Sequence, residues 1–310
     1  MGDESAKAPC ETPAVCSRLL ARVSLLSQLP PHSAFQRFSL SVFPSMPPLV
    51  FIHIPKTAGT TFHKILSHQF KPSEVAIHHD AEGPPPDSLI EQMSGPRPKV
   101  RAVMGHTSAR FHERLPEVRY LTCLRDPVAR LISHYHHARL DSTHYLHEPL
   151  TRNRWGLADY VCCGLSGELT DGMTRMIAGL DDFHHGMVDE AVFDRALKLL
   201  KERFAAIITS TYFDKGILAA AASLGWSTPY YIRRKKGHYD KAVDLTHEDI
   251  ERIEALNTFD RRLYDWALAN PIPSQETDLS AGLTAFQKAN ARWGALAYAW
   301  REGRARILRR

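Results

Sequence analysis

A lysine falls where an apolar run gives way to a helical one. In LVFIHIPKTAGTTFHKIL, Leu49 to Leu66, Lys56 occupies the bend and is followed by Thr57, Ala58, Gly59, Thr60 and Thr61. Small residues at a strand-to-helix turn let backbone N–H groups converge on an anion, because the first amides of a helix lack intrahelical partners and the helix dipole is positive there. Gly59 permits close backbone approach, the threonines supply hydroxyls, and Lys56 adds a movable point charge. The chemistry expected of this turn is the binding of a phosphate-like group. An exposed lysine on an ordinary turn is the alternative. The Walker A pattern does not apply, since GxxxxGK[ST] places its glycines before the lysine. Nor does an acidic residue stand ready at a strand end to hold the magnesium that triphosphate chemistry needs.

A second constellation follows in YLTCLRDPVARLISHYHH, Tyr120 to His137. An apolar strand delivers Arg125 at its carboxyl end, Asp126 is placed to cap a helix, Pro127 sits at the first helical position, and Ser133 lies two turns further on. Arg125 and Ser133 are thereby candidates to hold one phosphate at the carboxyl edge of a sheet, where open α/β sheets bind ligands. Read alone, Arg-Asp-Pro is also a common structural turn in which the arginine forms an ion pair.

The elements that must position these residues alternate along the chain. Short runs rich in β-branched residues, Leu49–Ile54, Val100–Met104, Val118–Leu124 and Ala205–Thr209, are continuous rather than alternating, as strands covered on both faces are. Helical periodicity returns over Val128–Ala138, Val188–Lys201, Phe213–Leu224 and His247–Leu268. The pattern is that of βαβ units around a central parallel sheet, an α/β fold. The prolines of AEGPPPDSL (Ala81 to Leu89) and GPRPK (Gly95 to Lys99) make loops. Residues 1–47, rich in Ser, Pro and Ala and without an acid after Glu11, form a flexible or targeting-like extension. Residues 273–310 end the chain as a basic amphipathic helix with Trp293, Tyr298 and Trp300. That helix either packs on the domain with its basic face in water or makes a peripheral membrane or partner contact.

The chain has 310 residues, 44% hydrophobic and 24% charged, which suits one domain of catalytic size spanning 48–272. A formal net charge of +5 fits an anionic ligand but falls short of a nucleic-acid binder. Five cysteines without CxxC spacing indicate neither a disulfide framework nor a zinc site, and a reducing compartment is the simpler expectation. No run is long and apolar enough to span a bilayer, so the expected protein is soluble. A cytoplasmic location follows, with the Golgi lumen or another organelle as the alternative if the N-terminus is a targeting segment. Among 17 histidines, His53 is expected to be a core residue inside the first strand. His78, His79, His134, His136 and His137 are expected on helix or loop surfaces, and no metal is expected for want of an acidic or cysteine complement.

The pairing of FIHIPKTAGTTF with LRDPVARLISHY resembles the two phosphosulfate-binding elements of the sulfotransferase superfamily, whose donor is 3′-phosphoadenylyl sulfate (PAPS). The nearer likeness is to the branch of heparan sulfate 2-O- and 6-O-sulfotransferases and their bacterial relatives, sulfotransferase family 2. It extends through DGMTRMIAGL (Asp171 to Leu180) and IITSTYFDKGILAAAASLGW (Ile207 to Trp226), and so covers residues 49 to 270. The resemblance implies a three-layer fold like that of P-loop NTPases. It implies that Lys56, Thr57, Ala58, Gly59, Thr60 and Thr61 form the 5′-phosphosulfate loop, and that Arg125 and Ser133 clamp the 3′-phosphate. In VMGHTSARF, Val103 to Phe111, it places His106 on the family's catalytic base. That role is chemically reasonable, since His106 follows a strand and a neutral imidazole suits proton removal near neutral pH.

The chain also departs from the branch. Met104 stands where the 2-O-enzymes have the first histidine of an HGH arrangement, and IRRKKGHYD (Ile232 to Asp240) carries Lys235 where an asparagine is usual. Arg233 and its basic neighbours are candidates to close over the donor's 3′-phosphate or to meet an anionic acceptor, or they form an exposed basic loop. The expected reaction is sulfuryl transfer from PAPS to an acceptor hydroxyl, carbohydrate by resemblance, with Lys56 and His106 catalytic and neither metal nor nucleic acid involved. A P-loop-like nucleotide kinase and a catalytically silent nucleotide-binding module are the alternatives.

Overall fold

The computed structural model describes residues 46–180, 188–226, 229–232, 246–272, 282–292 and 294. Packing divides the chain between Met46 and Pro47, and the fold lies in the unit Pro47–Arg310. Five strands, β1 (Leu49–Ile52), β2 (Val75–Ile77), β3 (Ala102–Gly105), β4 (Arg119–Leu124) and β5 (Phe204–Thr209), form one sheet in the order β2-β3-β1-β4-β5. Every pairing is parallel. Parallel strands need crossover connections, and ten helices supply most of the rest of the described fold. They are α1 (Gly59–Ser67), α2 (Asp87–Met93), α3 (Pro127–Leu140), α4 (His147–Arg152), α5 (Leu157–Cys162), α6 (Gly172–Ile177), α7 (Glu190–Arg203), α8 (Phe213–Ser223), α9 (His247–Leu256) and α10 (Thr258–Ala269).

The sheet is covered on both faces, which explains its continuous apolar strands. Val50, Ile52, Val103, Tyr120 and Ile207 pack with Met93 of α2, Met176 of α6, Phe193 of α7 and Leu263 of α10. The alternate residues point the other way: the Phe51 ring meets Phe62 of α1 with centroids 4.7 Å apart. Gly216 of α8 lies over Ile208. The result is a three-layer α/β sandwich, as expected from the alternation of elements.

Four strands fall where the apolar runs predict them, within two residues at each end. β2 was not anticipated: it is three residues long, sits at the sheet edge and is partly exposed, so it lacks an apolar run. The periodic stretch His247–Leu268 is two helices rather than one, broken at Asn257. Asn257 is fully buried, accepts from the Asp171 amide at 2.9 Å and donates to the carbonyls of Leu169 at 3.1 Å and Ile253 at 3.0 Å. A side chain committed to neighbouring backbone in this way competes with a continuous helix. The loop expected over Ala81 to Leu89 turns helical at Asp87, one residue after Pro86.

Residues 282–292 are helical. Phe286 is buried and stacks on Tyr230 with centroids 5.9 Å apart, and Gln287 donates to Asp214 of α8 at 3.0 Å. The described part of the C-terminal helix is thus docked on the domain. Trp293, Tyr298, Trp300 and the arginine-rich end lie outside the described residues, as does the N-terminal extension up to residue 45.

Candidate active site

In a parallel sheet every strand ends on the same edge, so the residues that follow β1, β3 and β4 emerge together. The register pairs Ile52 with Gly105 on one side and with Thr122 on the other. His53 and His106 therefore leave the sheet side by side, and Arg125 follows the end of β4 on the other flank of β1, level with the turn at Pro55. This juxtaposition builds the site.

The turn after β1 is tightly wound. Lys56 and Ala58 both adopt left-handed backbone, with φ of 67° and 74°. Such conformations in non-glycine residues cost energy and persist where the surroundings impose them. Ala58 is the N-cap of α1, and a left-handed alanine has no side-chain acceptor to offer the helix. Thr61 and Phe62 donate their amides back to the Ala58 carbonyl, at 3.0 and 3.3 Å. Among the described residues the amides of Thr57, Ala58, Gly59 and Thr60 have no acceptor. A run of unpaired amides at a helix start, alternating with left-handed residues, forms a concave anion-binding nest.

Thr57 is fully buried and its hydroxyl donates to the Ile54 carbonyl at 2.9 Å, so this side chain staples the turn and only its amide faces the nest. Thr61 is buried, while Thr60 is half-buried. Gly59 is required by a close approach: a Cβ there would lie 2.0 Å from Cδ2 of His53. Arg125, half-buried, donates from Nη1 to the Lys56 carbonyl at 3.1 Å, tying the end of β4 to the first turn. Asp126 caps α3 by accepting the Ala129 amide at 2.9 Å and pairs with Arg261 at 2.7 Å, while Pro127 takes the first helical position as expected. Ser133 is buried in α3. Arg233 lies outside the described residues.

His106 sits in a stack of imidazoles. Its ring lies 4.6 Å from that of His53 and 5.6 Å from that of His79, both near parallel, and His63 lies beyond His53 at 6.4 Å. The segment carrying it is clamped to the end of β2. Its amide donates to Nδ1 of His79 at 3.1 Å, which leaves the His79 proton on Nε2, and the Asp80 carboxylate accepts from the Thr107 hydroxyl and the Ser108 amide, each at 2.8 Å. Gly105 allows the two loops to meet, because a Cβ there would lie 1.8 Å from the His78 carbonyl oxygen. Nδ1 of His106 is buried and has no hydrogen-bond partner among the described residues. Burial holds the His106 imidazole below its usual pKa; Glu168 opposes this, while His79 and His134 reinforce it. The side chain is accordingly neutral at physiological pH and able to accept a proton.

Glu168 is the acid of this site, and nothing in its sequence surroundings singled it out. Its carboxylate meets Nε2 of His134 at 2.7 Å and accepts from the Tyr145 hydroxyl at 3.2 Å. Burial pushes the Glu168 carboxyl up, but the His134 hydrogen bond and the charges of His134, His106 and Arg130 outweigh it and hold the group at about 2. His134 is buried in α3, with Nδ1 at 2.7 Å from the Tyr160 hydroxyl. The expectation of a surface residue fails there because α4, α5 and the 166–169 turn fold over that face of α3. His78 and His136 are likewise buried rather than superficial. His53 lies just past β1 against the site rather than within the strand core. The Asp171 to Leu180 segment proves to be a structural hub: Asp260 accepts from the amides of Met173 at 3.1 Å and Thr174 at 2.7 Å beside the fully buried Arg130.

Among the described residues no three His, Cys, Asp or Glu side chains are grouped to hold a metal ion, and no helix is long and apolar enough to cross a membrane. The arrangement can seat a phosphate-like anion at the 56–61 turn and remove a proton from a neighbouring hydroxyl with His106. The family model described as the sulfotransferase family matches residues 42–267. No curated protein matches the chain.

Proposed function

Since the chain belongs to the sulfotransferase family, we propose that it transfers the sulfuryl group of PAPS to a hydroxyl of a carbohydrate acceptor by in-line displacement, with His106 as general base. The observation that carries the reading is the meeting of an anion nest with a neutral, buried imidazole at one sheet edge. In this reading the amides of Thr57 to Thr60 hold the 5′-phosphosulfate and Lys56 meets charge gathering on the bridging oxygen. Arg125, Ser133 and Arg233 hold the 3′-phosphate, and His106 takes the acceptor's proton as the sulfur–oxygen bond to the acceptor forms. Stabilisation aimed where charge develops is commonly the largest catalytic contribution. The transferase domain is assigned to residues 48–272.

The test is transfer of radiolabelled sulfate from PAPS onto oligosaccharide, lipid and peptide pools. Label in the oligosaccharide pool, lost about a hundredfold in Lys56→Ala, is the expected outcome. Label confined to lipid or peptide would overturn the acceptor class alone. Wild-type rates in both Lys56→Ala and His106→Ala would overturn the site. Arg125→Ala is expected to weaken donor affinity more than turnover, because the 3′-phosphate lies far from the reacting sulfur.

A further inference from the structure

Glu168 uses only one oxygen of its carboxylate within the protein. Both hydrogen bonds to the carboxylate fall on Oε2, from Nε2 of His134 at 2.7 Å and from the Tyr145 hydroxyl at 3.2 Å. Oε1 accepts none from a described residue. Unlike Nδ1 of His106 it is not sealed from water, and 11% of the Glu168 side chain stays exposed.

The donors around the group are already committed. The Glu168 amide donates to the Ser166 hydroxyl at 3.2 Å, that hydroxyl lies 2.7 Å from the Tyr145 oxygen, and the Tyr145 hydroxyl returns to Oε2. Since Tyr145 gives its one proton to Glu168, Ser166 gives its own to Tyr145, and the ring of bonds closes. The Glu168 carbonyl accepts from Nη2 of the fully buried Arg130 at 2.7 Å, so the residue is fixed at its main chain and at one carboxylate oxygen alike. A carboxylate offers about four acceptor sites, and here the fold fills only those on Oε2.

The carboxyl is ionised at physiological pH, its pKa held at about 2. A charged oxygen that is half withdrawn from water is costly unless a donor from outside the protein meets it. Glu168 and His106 each shift the other's proton affinity, so the open oxygen lies within electrostatic reach of the proposed base. Next to the carboxylate the Tyr145 ring is exposed and stacks on His144 with centroids 4.7 Å apart, a flat apolar surface beside a charge.

We infer that Oε1 of Glu168 binds the acceptor substrate, taking a hydrogen bond from an O–H or N–H group close to the hydroxyl that reacts, and so excludes acceptors that carry an anion at that place. That the bound molecule is the sulfuryl acceptor rests on the function proposed above; that the carboxylate selects a hydrogen-bond donor does not. Discrimination of this kind is strong, because the wrong molecule leaves a charge unpaired or sets two like charges together. The group beside the reacting hydroxyl is thus a neutral hydroxyl or an ammonium, not a carboxylate or a sulfate.

Calorimetric titration of the full chain, saturated with adenosine 3′,5′-bisphosphate, tests this with tetrasaccharides of β-1,4-linked glucose units that differ only at C2. Cellotetraose carries hydroxyls there, the chitosan tetramer ammonium groups, and the N-succinylated tetramer carboxylates, so every ring hydroxyl has the varied group nearby. A donor-bearing probe is expected to bind about tenfold or more tightly than the succinylated one, and the tighter of the two identifies the donor as hydroxyl or ammonium. Glu168→Gln is expected to weaken that binding about tenfold and to narrow the discrimination against carboxylate, with affinity for adenosine 3′,5′-bisphosphate unchanged. Equal or tighter binding of the succinylated probe by the wild-type chain would overturn the inference, and this comparison needs no variant. Full discrimination by a Glu168→Gln chain that melts like the wild type would also overturn it, leaving Glu168 to act on His106 alone. Absence of binding by all the probes would do the same. A wild-type chain that prefers the donor-bearing probes but transfers sulfate to no acceptor would instead count against the proposed function.

Discussion

His106 depends on a balance between burial and a nearby acid. Burial favours the neutral imidazole, and Glu168 is the strongest opposing influence, restoring some affinity for the proton that the proposed reaction would deliver. The folded value lies below the ordinary 6.5, so activity should be at its plateau at neutral pH and fall as pH drops through a value under 6.5. Glu168→Gln removes the influence that raises the pKa. Its acidic limb should therefore move to lower pH, with a slower plateau because a weaker base takes the proton. A limb left in place, measured on kcat against pH, would show that Glu168 is only structural. His134→Ala removes the shortest hydrogen bond of the Glu168 carboxylate, leaving it the Tyr145 hydroxyl and the charges of His106 and Arg130, and should lower stability by about 2 kcal/mol or more in denaturant titration.

At the scale of elements, the site depends on two glycines that let loops meet. Gly59 makes room for the His53 ring between the start of α1 and the imidazole stack, and Gly105 lets the end of β3 lie against the end of β2. The two differ in what must yield. A Cβ at position 59 presses on a ring that can rotate, whereas one at position 105 meets the carbonyl oxygen of His78, in backbone held to the β3 side by the bonds from the His78 amide to the Met104 carbonyl at 3.1 Å and from the Asp80 amide to the His106 carbonyl at 2.9 Å. Gly105→Ala is therefore expected to cost about 3 kcal/mol or more, and to disrupt the His79–His106 hydrogen bond with it. Equilibrium unfolding of this variant at wild-type stability would refute the close approach.

Across the whole molecule, a parallel sheet gathers at one edge residues that are some seventy positions apart. Lys56 and Arg125 meet through the hydrogen bond from the Arg125 guanidinium to the Lys56 carbonyl. A nucleotide gripped by both should stabilise the fold as a unit. Adenosine 3′,5′-bisphosphate at a hundred times its Kd is expected to add about 2.7 kcal/mol, whereas magnesium ATP at the same concentration should add little. Scanning calorimetry with the two ligands decides it; equal protection by ATP would favour a kinase reading over sulfuryl transfer.

How far the sequence carried the reading depends on the range of the forces involved. The strand-to-helix turn at Lys56, the Asp126 cap, the Pro127 start of α3 and four of the five strands were legible, because buried apolar runs, caps and prolines act within a few residues. β2 was not, since a short edge strand is held by its neighbour rather than by its own composition. Nor was the break at Asn257, whose partners Asp171 and Leu169 lie far away in the chain. The PKTAGTT segment by itself specifies a tight strand-to-helix turn of small residues, which the structure winds through left-handed Lys56 and Ala58. Only tertiary structure brought Glu168 and His134 together, buried His134 under α4 and α5, and stacked His53 and His79 on His106, because proton affinity and ion pairing are set by neighbours in space.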